Sequence, residues 1–137
     1  AADKDDVVWV IGYITAGEDS GETWTCRVSA PCVKGPPLEK PAEFGVVAVN
    51  PLPGGHVAWL FRAWDPVRAS RITLKIMGPS GEVARMDISR PLTVDNIEGV
   101  SAVPNKDGST RFYLLSDDNF SNSQKTILLA FDWKPAK

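Results

Sequence analysis

The strongest constraint on this chain is a pattern that occurs twice. Gly45-Val46-Val47-Ala48-Val49 recurs as Gly99-Val100-Ser101-Ala102-Val103, at an offset of 54 residues. At the same offset Gly54 falls on Gly108, Trp59-Leu60-Phe61 on Tyr113-Leu114-Leu115, and Arg71-Ile72-Thr73-Leu74 on Lys125-Thr126-Ile127-Leu128. Each copy reads as strand, tight turn, strand, loop, strand, and the first adds a fourth strand over Glu82 to Ile88. A four-stranded unit recurring at roughly 50 residues is the sequence form of a propeller blade.

Local patterns agree with an all-β chain. Strand-like stretches cover Val7 to Ile14, Phe44 to Val49, His56 to Arg62, Arg71 to Met77, Glu82 to Ile88, Ile97 to Val103, Arg111 to Ser116 and Lys125 to Trp133. Within Arg71-Ile72-Thr73-Leu74-Lys75-Ile76 the aliphatic residues alternate with polar ones, so one face is apolar. Pro53-Gly54-Gly55, Gly78-Pro79-Ser80-Gly81 and Asn105-Lys106-Asp107-Gly108 read as hairpin turns. No segment sustains a helical period. The expected fold is therefore a set of antiparallel four-stranded, blade-like meanders belonging to a β-propeller. Residues 1–137 form either a single all-β domain or the C-terminal half of a propeller, with repeat units over about 44–90 and 97–133. Two units and an N-terminal piece fall short of the roughly four to eight blades of a closed ring. An N-terminal half, or another copy of the chain, is expected to complete the assembly.

Composition narrows the class of partner. A chain of 137 residues can bury one core. No uninterrupted apolar run approaches bilayer length, so no membrane span is expected. Fifteen basic against seventeen acidic residues give a net charge of −2, which removes the electrostatic ground for a nucleic acid or anionic-membrane partner. The opening Ala1-Ala2-Asp3 suits a mature protein after signal-peptide removal, a fragment or a trimmed chain. Cys26 and Cys32 flank Pro31 in a polar stretch. Their spacing excludes a CxxC redox pair and favours a small disulfide loop, possible only in an oxidising compartment, over two free thiols.

The two copies differ in chemistry. Where the first has Phe44 the second has Glu98, and Ala63-Trp64-Asp65 is answered by Asp117-Asp118-Asn119, with Asp95 and Asn96 just upstream. In an antiparallel pair the start of one strand and the end of the next share an edge, so these groups are expected to meet. Asp95, Glu98, Asp117 and Asn119 offer hard oxygen ligands for calcium or magnesium, able to polarise a phosphoryl or acyl oxygen. Without metal, Glu98, Asp117 and Asp118 could serve as general acid and base. The plainer alternative is ordinary turn closure. Arg62 and Arg71, with Arg68 and Lys75 behind them, could hold an anionic substrate. Against that, Arg71 and Lys75 share one strand face and read as solvated. His56, the only histidine, adjoins a Gly-Gly turn, so a multi-histidine zinc site is impossible within this sequence. No Gly-x-Ser-x-Gly elbow occurs either. Trp59, Trp64, Tyr113 and Trp133 read as packing aromatics.

Two segments carry a resemblance. Pro91-Leu92-Thr93-Val94-Asp95-Asn96-Ile97-Glu98-Gly99-Val100 resembles the P-L-x-x-D-N-[FY]-E-G motif of the esterase-like domain found in some phytases. Phe112-Tyr113-Leu114-Leu115-Ser116-Asp117-Asp118-Asn119-Phe120, followed by Gln124-Lys125-Thr126-Ile127-Leu128-Leu129-Ala130-Phe131, is similar to that family's closing segment. Leu52-Pro53-Gly54-Gly55 to Phe61-Arg62 resembles its preceding blade. The likeness covers about residues 44–133, with Ile97 where the motif has an aromatic. It implies a propeller-like β-domain, secreted or periplasmic, hydrolysing esters or phosphoesters, with the family's acidic residues falling on Asp95, Glu98, Asp117 and Asp118. The competing expectation is a non-catalytic binding or scaffold domain, holding a structural calcium or no metal.

Overall fold

The period-two pattern is realised as twelve strands, all paired antiparallel, in a computed structural model that describes residues 7–11, 20–92 and 94–135. In chain order they are β1 (Val7–Ile11), β2 (Ser20–Gly21), β3 (Thr23–Arg27), β4 (Ala30–Lys34), β5 (Leu38–Glu39), β6 (Gly45–Leu52), β7 (His56–Asp65), β8 (Ala69–Gly78), β9 (Gly81–Ile88), β10 (Ile97–Pro104), β11 (Thr110–Ser116) and β12 (Leu128–Trp133). Two sheets dominate: a four-stranded meander β6-β7-β8-β9 and a three-stranded meander β10-β11-β12. The chain is all-β, with a single 3-10 turn at Pro53–Gly55 among the described residues and no α-helix. That turn reverses β6 into β7 because Gly54 (φ 74°) and Gly55 (φ 75°) adopt the left-handed conformation that a side chain disfavours.

The core lies between the two meanders. Alternation sends Ala58, Leu60, Ile72, Leu74 and Ile76 of the first sheet toward Ile97, Phe112 and Leu114 of the second. Leu60, Ile97, Phe112 and Leu114 are fully buried, each contributing about 1.5–3 kcal/mol by leaving water. Phe112 stacks on Phe131 of β12, with ring centroids 5.5 Å apart. The other face of the first sheet is also covered: Val57, Trp59 and Phe61 pack with Leu38 of β5 and with Phe44 and Met77. Among the described residues the second sheet has no such cover, and Val103, Leu115 and Leu128 are exposed on its outer face. Edge strand β9 alternates charge and burial, carrying the exposed Arg85–Asp87 pair. That pattern discourages pairing with another chain.

Pairing corrects the repeat in one respect. Ala48 pairs with Leu60, and Val100 with Leu114. The inner strands therefore correspond at an offset two residues smaller than the second strands, because the turn between β10 and β11 is two residues longer than the one between β6 and β7. Leu60 pairs with Leu74 but Leu114 with Leu129, so the next loop is longer by one. The gapless register is thus not kept, although the strand order is. Glu98 does not take the place of Phe44. It is the extra residue of a β-bulge between Ile97 and Gly99.

Apart from β1, the N-terminal part forms strands that the pattern did not announce. β1, β3 and β4 make a small sheet, and β2 pairs with β5. Cys26 and Cys32 are disulfide-bonded across the β3–β4 hairpin. The expected strand at Val7 is present to Ile11; its last three residues, 12–14, lie outside the described residues.

Candidate functional site

Antiparallel alternation brings four connections to one end of the molecule: Lys40 to Phe44, Pro66 to Arg68, Ser89 to Asn96 and Asp117 to Ile127. The Arg62–Glu98 ion pair, 2.5 Å, ties the rims of the two sheets together at this end. The acidic residues of the second copy do gather there. Asp117 N–H donates to the Asn96 carbonyl (2.9 Å), and the buried Asn96 amide returns a bond to the Asp117 carbonyl (3.2 Å).

What holds this rim together is carboxylates accepting N–H groups. Asp95 accepts from Asn96 N–H through Oδ1 (2.8 Å) and from Lys125 N–H through Oδ2 (2.9 Å), clamping the approach to β10 against the approach to β12. Asp117 Oδ1 accepts Asn119 N–H (3.0 Å), and Asp118 Oδ1 accepts Phe120 N–H (2.9 Å). Asp118 Oδ2 takes the Thr126 hydroxyl (3.2 Å). The two turns hold Asn119 (φ 50°) and Phe120 (φ 55°) left-handed, a conformation that costs a residue such as phenylalanine about 1 kcal/mol or more. Phe120 is thereby presented fully to solvent. The buried Ser116 hydroxyl donates to the Lys125 carbonyl and accepts Ile127 N–H, both at 2.7 Å, so it continues the ladder where β12 has not yet begun.

The first sheet answers with arginines. Arg68 reaches Asp65 (2.7 Å) and Glu43 (2.9 Å), and Arg71 reaches the same two carboxylates at 3.0 and 3.3 Å. The side-chain hydrogen bond from Arg68 holds the Glu43 carboxyl below its ordinary value. For Asp65 the backbone N–H of Arg68 acts first in the same direction. Arg71 also lies over the Phe44 ring, 5.3 Å from its centroid, and Lys75 over Phe61 at 5.9 Å. Both side chains are only about one-sixth exposed. The expectation that Arg71 and Lys75 are solvated is therefore corrected: ring faces on the covered side of the sheet draw them down.

Of the residues singled out from the sequence, the structure joins Asp95, Asn96, Asp117 and Asn119 by hydrogen bonds, while Asp118 bonds to Phe120 and Thr126. It sends Glu98 to Arg62 instead. Arg62 faces the second sheet, whereas Arg71, opposite Ala63 in the ladder, lies on the other face with Phe44. Trp64 is two residues beyond Arg62 on β7 and is 67% exposed, so it is a rim aromatic and not the packing residue expected. Trp59 is buried and Trp133 half-buried against the core, as expected. His56 is a turn residue, its Nδ1 3.2 Å from the Pro53 carbonyl at the opposite end. Glu43 escaped notice altogether. The bulge at Glu98 did have a signal, since a glycine directly after it inside a strand run marks such a site.

Hydrogen bonds already engage part of the oxygen set expected to hold an ion. Asp95 accepts N–H groups on both oxygens and Glu98 Oε1 carries the Arg62 bond, while the Asn119 side-chain N–H donates to Gln124 (3.0 Å). Among the described residues no three His, Cys, Asp or Glu side chains are grouped to hold a metal. The arrangement supplies instead one carboxylate touching a fixed cation between two sheets, beside an exposed indole.

The family model "Phytase-like: Esterase-like activity of phytase" matches residues 1–120. The match takes in the N-terminal sheet and the disulfide, where the sequence motifs had carried no likeness. No curated protein and no solved structure matches the chain.

Proposed function

The chain belongs to the phytase-like family, and from that premise we propose that it hydrolyses esters or phosphoesters at the rim joining its two large sheets. The observation that carries this reading is the Arg62–Glu98 pair, with side chains 25% and 41% exposed. An arginine stays charged at any working pH, and here it can hold the acyl or phosphoryl oxygen on which negative charge develops. Glu98 Oε1 is held by Arg62, and Oε2 is the atom from which it acts as general base. Water adds to the acyl or phosphoryl centre as its proton passes to Glu98, the bond to the alkoxide breaks, and Glu98 returns that proton to the departing alcohol. Asp95, Asp117 and Asp118 position the bulge and the Phe120 loop. No step is routed through calcium or magnesium, because among the described residues no three acidic side chains are grouped to hold an ion.

The disulfide and the absence, among the described residues, of any helix long and apolar enough to cross a membrane support a secreted or periplasmic setting. The exposed outer face of the second sheet suits a further sheet, from an N-terminal half or another copy, in a propeller-type assembly. The catalytic reading is tested with a chromogenic ester and a chromogenic phosphoester. Glu98→Gln is expected to lower kcat on the accepted substrate by about 100-fold or more while the thermal midpoint holds. Turnover unchanged by Glu98→Gln removes Glu98 as the base. A protein with no turnover on either substrate class is a scaffold with the same rim.

A further inference from the structure

A second concavity lies away from this rim, on the covered face of the first sheet near its opposite end. It encloses about 570 Å³, within the roughly 300–1,000 Å³ of small-molecule sites. Its floor is Val57, Trp59 and Met77; its wall is the Pro36-Pro37-Leu38 segment. We propose that this cleft binds an organic cation: an ammonium or guanidinium carried on a compact apolar body.

Three observations carry the proposal. The first is rigidity of the wall. The Thr23 hydroxyl, in a residue only 2% exposed, donates to the Pro36 carbonyl (2.6 Å), and Gly35 N–H donates to the Thr23 carbonyl (2.8 Å). A Cβ on Gly35 would stand 2.6 Å from Thr23 Oγ1, so the approach is close enough to require glycine. The disulfide closes the hairpin from which this wall leads. A prefixed wall lowers the ordering cost of binding. The second is the lining, apolar with a few polar groups at its border, as ligand sites are built.

The third is charge. Lys75, Glu82 and Glu39 are the ionisable residues of the cleft. Lys75 is 3.3 Å from Glu82 and lies over Phe61, so its charge is already matched. Glu39, exposed beside the cleft, has no ion-pair partner among the described residues. The cleft therefore carries one unmatched negative charge beside an apolar floor, and its complement is a cation with an apolar body.

Titration of the full chain with 2-phenylethylamine, followed by NMR shifts, tests this against the neutral 2-phenylethanol and the anionic 3-phenylpropanoate. The amine is expected to bind saturably, shifting Val57, Met77 and Leu38. It is expected to bind about five-fold tighter than the alcohol, the size of one partly exposed charge pair, with the carboxylate weakest. Glu39→Gln, on an exposed side chain outside the hydrolytic rim, is expected to erase the amine's advantage and leave ester turnover unchanged. Glu98→Gln is expected to leave amine binding as it was, which separates this site from the acidic rim. No saturable binding, equal binding of amine and alcohol, or shifts centred on Asp117 and Phe120 would each overturn the proposal.

Discussion

The two meanders share strand order and differ in how they treat their acidic rim. In the first, Glu43 and Asp65 are neutralised by Arg68 and Arg71, and Phe44 lies beneath the guanidinium. In the second, Asp95, Asp117 and Asp118 accept N–H or hydroxyl donors from the loops of the rim, with no cation attached in the described contacts. An ion pair cancels a charge; a turn fixes a carboxylate in place and leaves its charge standing. The first rim is a closed electrostatic unit, and the second keeps a field. Arg62 and Glu98 join them.

The sheets also differ in cover, and this gives the largest expected effect. Phe112 and Leu115 are three residues apart on β11, one fully buried between the sheets and one 49% exposed. Phe112→Ala should cost about 3–5 kcal/mol, because it removes a stacked ring from a packed core. Leu115→Ala should cost less than about 1 kcal/mol if the outer face is open to water. Urea unfolding compares them. A large loss for Leu115→Ala would mean that another sheet covers that face in solution.

A smaller effect separates the two rims by pH. Glu43 and Asp65 titrate below their ordinary range in the folded chain, so the unfolded chain binds protons first as pH falls. Their stabilisation is complete above the ordinary carboxylate value of about 4 and is lost as pH drops through the lowered folded values. The urea midpoint should therefore fall on going from pH 7 to pH 3, and fall less in the Glu43→Gln/Asp65→Asn double variant. Equal falls would place the acid-sensitive groups elsewhere, with Asp107 and Asp132 next, since both are also held low by their neighbours.

The strands of both meanders were legible because alternation and Gly-containing turns are local signals. Ile72, Leu74 and Ile76 could be assigned to the core from the sequence alone. Register was less legible. Turn length changes by one or two residues without altering the apolar alternation on either side, so Glu98 was aligned with Phe44 when it belongs to a bulge. The N-terminal sheet was illegible for a different reason. β4 (Ala-Pro-Cys-Val-Lys) is exposed along its whole length and has no apolar face to read. Of the site, the meeting of Asp95–Asn96 with Asp117–Asp118 followed from topology. The partner of each carboxylate did not, because whether an oxygen meets an arginine or a backbone N–H depends on the loop path.

The finest test of the comparison is Asp118, half-buried and doubly bonded at the foot of the Phe120 turn. Asn keeps an acceptor oxygen for Phe120 N–H but removes the charge, while Ala removes both. If the second rim works by shape, Asp118→Asn should match the parent in stability within about 0.5 kcal/mol and retain most of its turnover. Asp118→Ala should then lose about 1 kcal/mol as the turn opens, with turnover falling alongside. If the rim works by field, Asp118→Asn should already change the salt dependence of kcat/KM on a charged substrate, because an unmatched carboxylate acts over the screening distance of the solution. The arginine-matched rim offers the control. Glu43→Gln alters a pair that is already neutralised locally, so its effect on that salt dependence should be the smaller of the two, and the reverse order would dissolve the distinction between a closed rim and an open one.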